Sequence, residues 1–176
     1  MAASENALSD TRMNSSATGA APTNKPLPAG VVLRHADTDD ELRACWPVMH
    51  QLRPHLADAA DLIDRVTRMR KDSYRLLAVW RDGKAIALAG YRLQENLVYG
   101  RFLYVDDLVT LDTARGEGWG ARLLDALTQT AGEAGCARLV LDTAVTNTSA
   151  QRFYTREGLD NGAMRFGKSL VQMAPA

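Results

Sequence analysis

From Val31 onward, apolar residues recur with a spacing that alternates between helical and strand-like, and the switches divide the chain into short elements. Val31–Arg34 reads as a strand. Asp37-Thr38-Asp39-Asp40 offers N-cap side chains, and Leu42, Cys45, Trp46 and Met49 follow at helical spacing. Pro47 lies inside that pattern and has no N–H to donate, so a short or kinked helix is expected there, ending before Pro54. A second helix is expected from Ala57 to Lys71, with Leu62, Ile63, Val66 and Met69 on one face. The period then drops to two. Arg75–Trp80 and Lys84–Leu93 read as strands joined at Asp82-Gly83, a hairpin-turn pair, and a third strand lies within Leu97–Thr110. Gly118–Ala134 is expected to be a helix stopped by Gly135, with Gly120, Leu124, Leu127 and Ala131 along one face. Ala137–Leu141 has the length of a strand, Ser149–Glu157 that of a short helix, and Leu159–Val171 could supply one or two more strands.

The expected order is β-α-α-β-β-β-α-β-α-β, a mixed α/β chain in which an antiparallel meander leads into a βαβ unit. Residues 1–30 are rich in Ala, Ser, Thr, Asn and Pro and hold almost no large apolar side chains. Such a stretch buries too little surface to offset its chain entropy, so a disordered tail is expected there, followed by a single domain over 31–176.

Composition narrows the function. The 21 Lys and Arg equal the 21 Asp and Glu, which argues against a nucleic-acid partner. No apolar run approaches a membrane span and no signal segment is evident, so no membrane role and a cytoplasmic location are expected. Cys45 and Cys136 are read as reduced, buried thiols, and His35, His50 and His55 have no metal-ligand spacing, so no metal is expected.

Arg115-Gly116-Glu117-Gly118-Trp119-Gly120 lies between a strand and a helix. Glycines let the backbone curl close to an anion, the helix N-terminus offers unpaired N–H groups, and Arg115 adds positive charge: together, a phosphate cradle. Gly116-x-Gly118-x-x-Ala121 also satisfies the dinucleotide fingerprint, with Asp142 about where a ribose-binding acid would fall. Context argues against that reading. Five residues, Leu111 to Arg115, separate the strand from the first glycine, and about 55 residues after the turn are too few for the remaining strands and helices of that fold.

The same turn fits Q/R-x-x-G-x-G/A through Arg115, Gly118 and Gly120, and here the chain resembles the GNAT superfamily of N-acyltransferases. A second motif supports the resemblance. Asn147-Thr148-Ser149-Ala150-Gln151-Arg152-Phe153-Tyr154-Thr155-Arg156-Glu157-Gly158-Leu159 is similar to the closing motif N-x-x-A-x-x-F/L-Y-x-x-x-G-F, with Leu159 in place of the final aromatic. Tyr104–Thr110 is similar to the strand that precedes the turn. The likeness covers residues 31–170 in layout and is specific in motif between Tyr104 and Leu159. It implies a central, mostly antiparallel twisted sheet with a splayed parallel strand pair, flanked by helices. It implies acetyl-CoA as co-substrate, its pyrophosphate on Arg115, Gly116, Glu117, Gly118, Trp119 and Gly120, with Asn147 nearby and pantetheine along Leu108, Val109 and Thr110. Trp119, at a variable motif position, is expected at the surface, with CoA the alternative neighbour.

The implied reaction is direct acetyl transfer to a primary amine in a ternary complex. An amine with a pKa of about 10.4 is rarely unprotonated at neutral pH, so a base is useful. Asp106 is the candidate, matching a position where polyamine-type relatives carry a glutamate; Glu95 is held in reserve. Strand alternation would put Asp106 on the face of Tyr104 and Leu108, and Asp107 on the other. Tyr154 is the candidate proton donor to the leaving thiolate. The acceptor is a small-molecule, peptide or protein amine, and the two acids favour a cationic one. His50 and His55 lie where relatives close over the acceptor. The layout is compatible with a homodimer. A non-catalytic acyl-CoA sensor of the same fold is the alternative.

Overall fold

The computed structural model describes residues 26–170. The tail expected over residues 1–30 falls mainly outside these. Where it joins the sheet, the Pro28 and Gly30 carbonyls accept hydrogen bonds from Val31 and Asp82 at 3.1 and 3.0 Å.

Five strands form one sheet in the order β1-β2-β3-β4-β5: Val31–His35, Arg75–Arg81, Lys84–Asn96, Gly100–Thr110 and Arg138–Leu141. The first four pair antiparallel, and β4 pairs with β5 in parallel. The β2–β3 hairpin closes through Asp82 and Gly83 at φ 49° and 77°, the pair of positive values a two-residue hairpin turn needs. Helices α1 (Asp39–Leu52) and α2 (Ala59–Met69) cover one face, and α3 (Trp119–Glu133) covers the other. Helix α4 (Thr148–Arg156) follows β5.

Both faces are sealed by apolar side chains. Leu42, Cys45, Val48 and Met49 of α1 and Leu62 and Val66 of α2 pack on Leu76, Ala78, Trp80, Leu88 and Val109. On the opposite face Leu123, Leu127 and Ala131 of α3 pack on Leu77, Val79, Ala87, Leu103 and Val105.

Two expectations are corrected. Helix α1 runs unbroken through Pro47 for 14 residues. Pro47 lies on the exposed side, where the carbonyl it leaves unbonded is closer to water, and burial of Cys45, Val48 and Met49 on either side holds the helical turn. Residues 159–170 contain no strand. Gly162 and Gly167 interrupt the alternation, and Met164, Phe166 and Leu170 stand 81–88% exposed instead of covering a sheet face. Of the two thiols, Cys45 is buried, which pushes its pKa up to about 12, while Cys136 is only half-buried; both are free.

Candidate active site

Strands β4 and β5 pair only from Phe102–Val105 against Arg138–Leu141. Beyond Leu141 the chain leaves the sheet toward α4, whereas β4 continues to Thr110. Among the described residues, the edge of β4 from Asp106 to Thr110 that faces away from β3 therefore has no strand partner. Backbone N–H and C=O groups need partners, so an extended molecule carrying amides can complete this edge. Leu108 is half-buried against the α3 side of the core, Val109 is buried beneath α1, and Thr110 pairs with Ala87.

At the end of β4 the chain makes one short helical turn, Asp112–Ala114, and enters the glycine segment. Gly116 and Gly118 have φ of 82° and 85°, values that would strain a side chain, and a Cβ at either would meet nothing within 4 Å. Gly118 is the N-cap of α3 and provides no side-chain cap, leaving the first-turn amides of that helix for another acceptor. Gly120 has a different reason to be glycine: a Cβ there would lie 3.1 Å from Phe153 Cζ, so it permits α4 to approach α3. Arg115 pairs with Asp112 at 2.6 Å, and both are exposed. Glu117 pairs with Arg81 and accepts from Trp119 Nε1 at 3.0 Å. These partners hold the Glu117 carboxyl below its ordinary range.

The surface placement of Trp119 is corrected. Its side chain is 3% exposed and joins Leu123 and Leu127 in the core, flanked by the guanidinium groups of Arg81 and Arg122 at 5.4 and 5.6 Å. Any part in anion binding would fall to its backbone N–H. Asn147 caps α4, accepting from the Ala150 amide at 3.1 Å. Tyr154 is half-buried on α4, its ring against Phe153, and its hydroxyl makes no hydrogen bond among the described residues. Burial raises its pKa.

The acid pair is arranged differently from simple alternation. Gly90 is opposite Asp107 and Tyr91 is opposite Val105, so Asp106 is an extra residue in β4. The bulge reverses the alternation. Val105 packs toward α3, yet Asp107 and Val109 both face α1. Asp106 and Asp107 reach one cluster on that side, and Leu108 falls on the other. Asp107 is 7% exposed, and it accepts from Arg53 Nε at 2.8 Å and from the Tyr74 hydroxyl at 2.9 Å. Asp106 is half-buried and accepts from Arg92 Nε at 3.1 Å. Desolvation raises the Asp106 pKa despite the opposing pull of Arg92, and it raises that of Tyr74 further still, reinforced by Asp107.

Each carboxylate is thus matched by an arginine, which removes the argument that the pair favours a cationic acceptor. Glu95 is opposite Arg101 at the far end of β3, away from the open edge, so it is not a substitute for Asp106. His50 stacks on Trp46 at 4.8 Å with its Nδ1 buried and unbonded, His55 is exposed, and His35 bonds to the Tyr91 hydroxyl at 2.9 Å. Arg53, Tyr74 and Arg92 were not singled out from the sequence. The available signal was Gly90, an isolated glycine in a strand pattern: a Cβ there would meet Tyr74 Oη at 2.1 Å and Asp107 Oδ2 at 2.7 Å.

The dinucleotide alternative fails on this geometry. Among the described residues the sheet has a single parallel pair, and Asp142 is occupied by the Tyr104 hydroxyl, at 2.6 Å, and by Arg165. Among the described residues no three His, Cys, Asp or Glu side chains gather as metal ligands, and no helix is long and apolar enough to cross a membrane.

Known proteins share this fold. The sequence profile of the acetyltransferase (GNAT) family matches residues 36–159. The uncharacterized N-acetyltransferase YhdJ of Bacillus subtilis is 30% identical over 124 residues, which is 70% of this chain and 87% of that protein. The aminoalkylphosphonate N-acetyltransferase of Salmonella typhimurium is 30% identical over 146 residues, 78% of this chain and 90% of the relative. Among solved structures, the aminoglycoside N-acetyltransferase AAC(6')-Iy in complex with CoA superimposes with a TM-score of 0.71 at 20% identity, covering 84% of this chain and 99% of that one. At that identity the likeness speaks for the fold.

Proposed function

The chain belongs to the acetyltransferase (GNAT) family, and from that premise we propose that it transfers an acetyl group from acetyl-CoA to a primary amine of a small molecule, directly and within a ternary complex. The transfer is assigned to one domain spanning residues 31–176. The observation that carries the reading is the open edge of β4, which ends beside the uncapped glycine turn of α3. The relative named for aminoalkylphosphonate supports a small-molecule acceptor.

Acetyl-CoA supplies an activated acyl group as a thioester. The residues suited to hold it are the turn Arg115–Gly120, for the pyrophosphate, and the free backbone of Leu108–Thr110, for the pantetheine amides. Backbone N–H groups on that edge are preorganised donors for charge that develops on the carbonyl. Asp106 is the group suited to take the amine proton: burial raises its pKa, bringing it closer to a useful base at neutral pH. Tyr154 is the group suited to protonate the departing thiolate, since its own raised pKa keeps the phenol protonated and its hydroxyl is uncommitted. Asn147 is assigned a supporting part, capping the helix that carries Tyr154.

The test is a thermal melt with acetyl-CoA, CoA and NADH in parallel, followed by thiol detection across an amine panel. A ligand at about 100 times its Kd adds about 2.7 kcal/mol. A shift with acetyl-CoA and CoA and not NADH, together with amine-dependent thiol release, is the expected result. No shift with either CoA species would remove the cradle. Binding without turnover on any amine would favour the acyl-CoA sensor of the same fold.

A further inference from the structure

Arg53 and Arg92 approach the β4 bulge from different elements and end on the same residue. Arg53, immediately after α1, donates from Nε to Asp107 Oδ1 at 2.8 Å and from Nη2 to the Asp106 carbonyl at 2.9 Å. Arg92, on β3, donates from Nε to Asp106 Oδ2 at 3.1 Å. These bonds bring both guanidinium groups onto Asp106, one at its carbonyl and one at its carboxylate. They leave Nη1 of Arg53 and both terminal nitrogens of Arg92 without a hydrogen bond among the described residues.

The burial is graded in a telling direction. The arginine side chains are 42% and 23% exposed, and the carboxylates that anchor them are 8% and 19% exposed. Asp107 therefore lies behind Arg53, while Asp106 is open to much the same degree as Arg92. The cluster is neutral in sum, and it presents guanidinium N–H groups to an incoming molecule beside the Asp106 carboxylate. A solvated surface arginine must be immobilised when it binds an anion. Here Asp106, Asp107 and the Tyr74 ring, 5.8 Å from the Arg92 guanidinium, have already fixed both long side chains. A fixed guanidinium edge matches the paired oxygens of a carboxylate, phosphonate or phosphate.

We propose that Arg53 and Arg92 form an acid-recognition subsite beside Asp106, so that the acceptor is a zwitterion: a primary amine carrying a carboxylate, phosphonate or phosphate group a few bonds away. The proposal rests on the acetyl-transfer reading above and names the substrate class for it. The anionic end would bond to the free guanidinium nitrogens, and the amine, one short spacer away, would lie against Asp106.

Matched acceptors test this on the intact chain: O-phosphoethanolamine against ethanolamine, and β-alanine against propylamine. Initial rates are read by thiol release at saturating acetyl-CoA, and binding is read by calorimetric titration of each acceptor into the protein–CoA complex. The acid-bearing member of each pair is expected to have at least a tenfold higher kcat/KM, expressed mainly in KM. R92Q and R53K, checked for folding by thermal melt, are expected to shrink that preference at least fivefold. Equal or better use of ethanolamine or propylamine by the unmodified protein would overturn the subsite and leave acetyl transfer standing. An undiminished preference in both folded variants would overturn it too. Binding of O-phosphoethanolamine and not ethanolamine, without thiol release, would uphold the subsite and remove the transfer reading. Neither binding nor turnover of the acid-bearing amines would overturn both.

Discussion

Strands β2 and β3 bury side chains on both faces of the sheet, whereas β5 and α4 contain no fully buried residue. Leu76, Ala78 and Trp80 point into the core under α1 and α2, and Leu77 and Val79 into the core under α3. Past β4, the apolar side chains of Val145, Met164, Phe166 and Leu170 are 81–88% exposed. The candidate chemistry lies along the seam between these regions: Asp106 on the packed side, Tyr154 on the open side. A rigid meander can hold a bulge and an acid in register, while a thinly packed partner strand can leave an edge free for a ligand. Stability and function should therefore separate by region.

The largest test of that separation is a pair of truncations. Leu127 is 0% exposed between α3 and the meander, and Leu127→Ala should cost about 4 kcal/mol, lowering the melting midpoint by roughly 10 °C. Leu139, on β5 and half-buried against the same core, should cost about 1 kcal/mol when cut to alanine. Equal losses in thermal melts would mean that β5 is as integral to the fold as the meander. Next in size is Gly90→Ala. Its methyl group would enter the space of Tyr74 Oη and Asp107 Oδ2, both fixed in buried positions, and should cost about 3 kcal/mol through overpacking and a broken buried hydrogen bond. Full stability in that variant would show that the bulge can relax, and with it the placement of Asp106.

The same division governs what could be read from the residues alone. The meander was legible because each strand has a buried face and its turn is written in Asp82-Gly83. The glycine turn was legible because it rests on local backbone chemistry, whereas Asn147 was assigned to CoA and its capping of α4 went unread. The bulge at Asp106 was not, because one extra residue leaves the apolar spacing of Leu103, Val105 and Val109 intact while reversing which side of the sheet they face. The partners of the acids were hidden for a related reason. Arg53 and Asp107 are 54 positions apart and meet only once α1 crosses the sheet. Pro47 misled as to length because local propensity argues for a short helix, and burial on both sides of it carries α1 through 14 residues. The even spacing of Met164, Phe166 and Leu170 resembles a strand, but the segment is held by polar contacts, through Arg165 to Tyr104 and Asp142.

On the open side, the sharpest test is Tyr154→Phe. It should lower turnover at least tenfold, about 1.4 kcal/mol in the barrier, with little change in CoA affinity and no change in the melt. Unchanged turnover would remove Tyr154 from the mechanism. The pH profile adds a sign. The proposed mechanism requires Asp106 ionised and Tyr154 protonated, and both pKa values are raised by burial. Both limbs of the profile should therefore lie above the ordinary values for these groups, about 3.9 and about 10.

The smallest effect tests whether the packed region depends on its helix ends as well as its core. Thr38 caps α1 through the Glu41 amide at 3.3 Å, and Glu41 returns bonds to the amides of Asp37 and Thr38 at 2.8 and 3.1 Å, with Arg34 alongside. Those amide bonds are the main reason its pKa falls from 4.5 to about 2. A carboxylate depressed in the folded state stabilises it fully above its unfolded pKa, and that contribution fades as pH falls toward the folded value. Glu41→Gln should accordingly cost about 1 kcal/mol or less at neutral pH, and the difference from the unmodified protein should close between about pH 4.5 and 2. A gap that persists at pH 2 would mean that Glu41 stabilises α1 by packing and not by its charge, and the cap would then belong with the core in the comparison between the two regions.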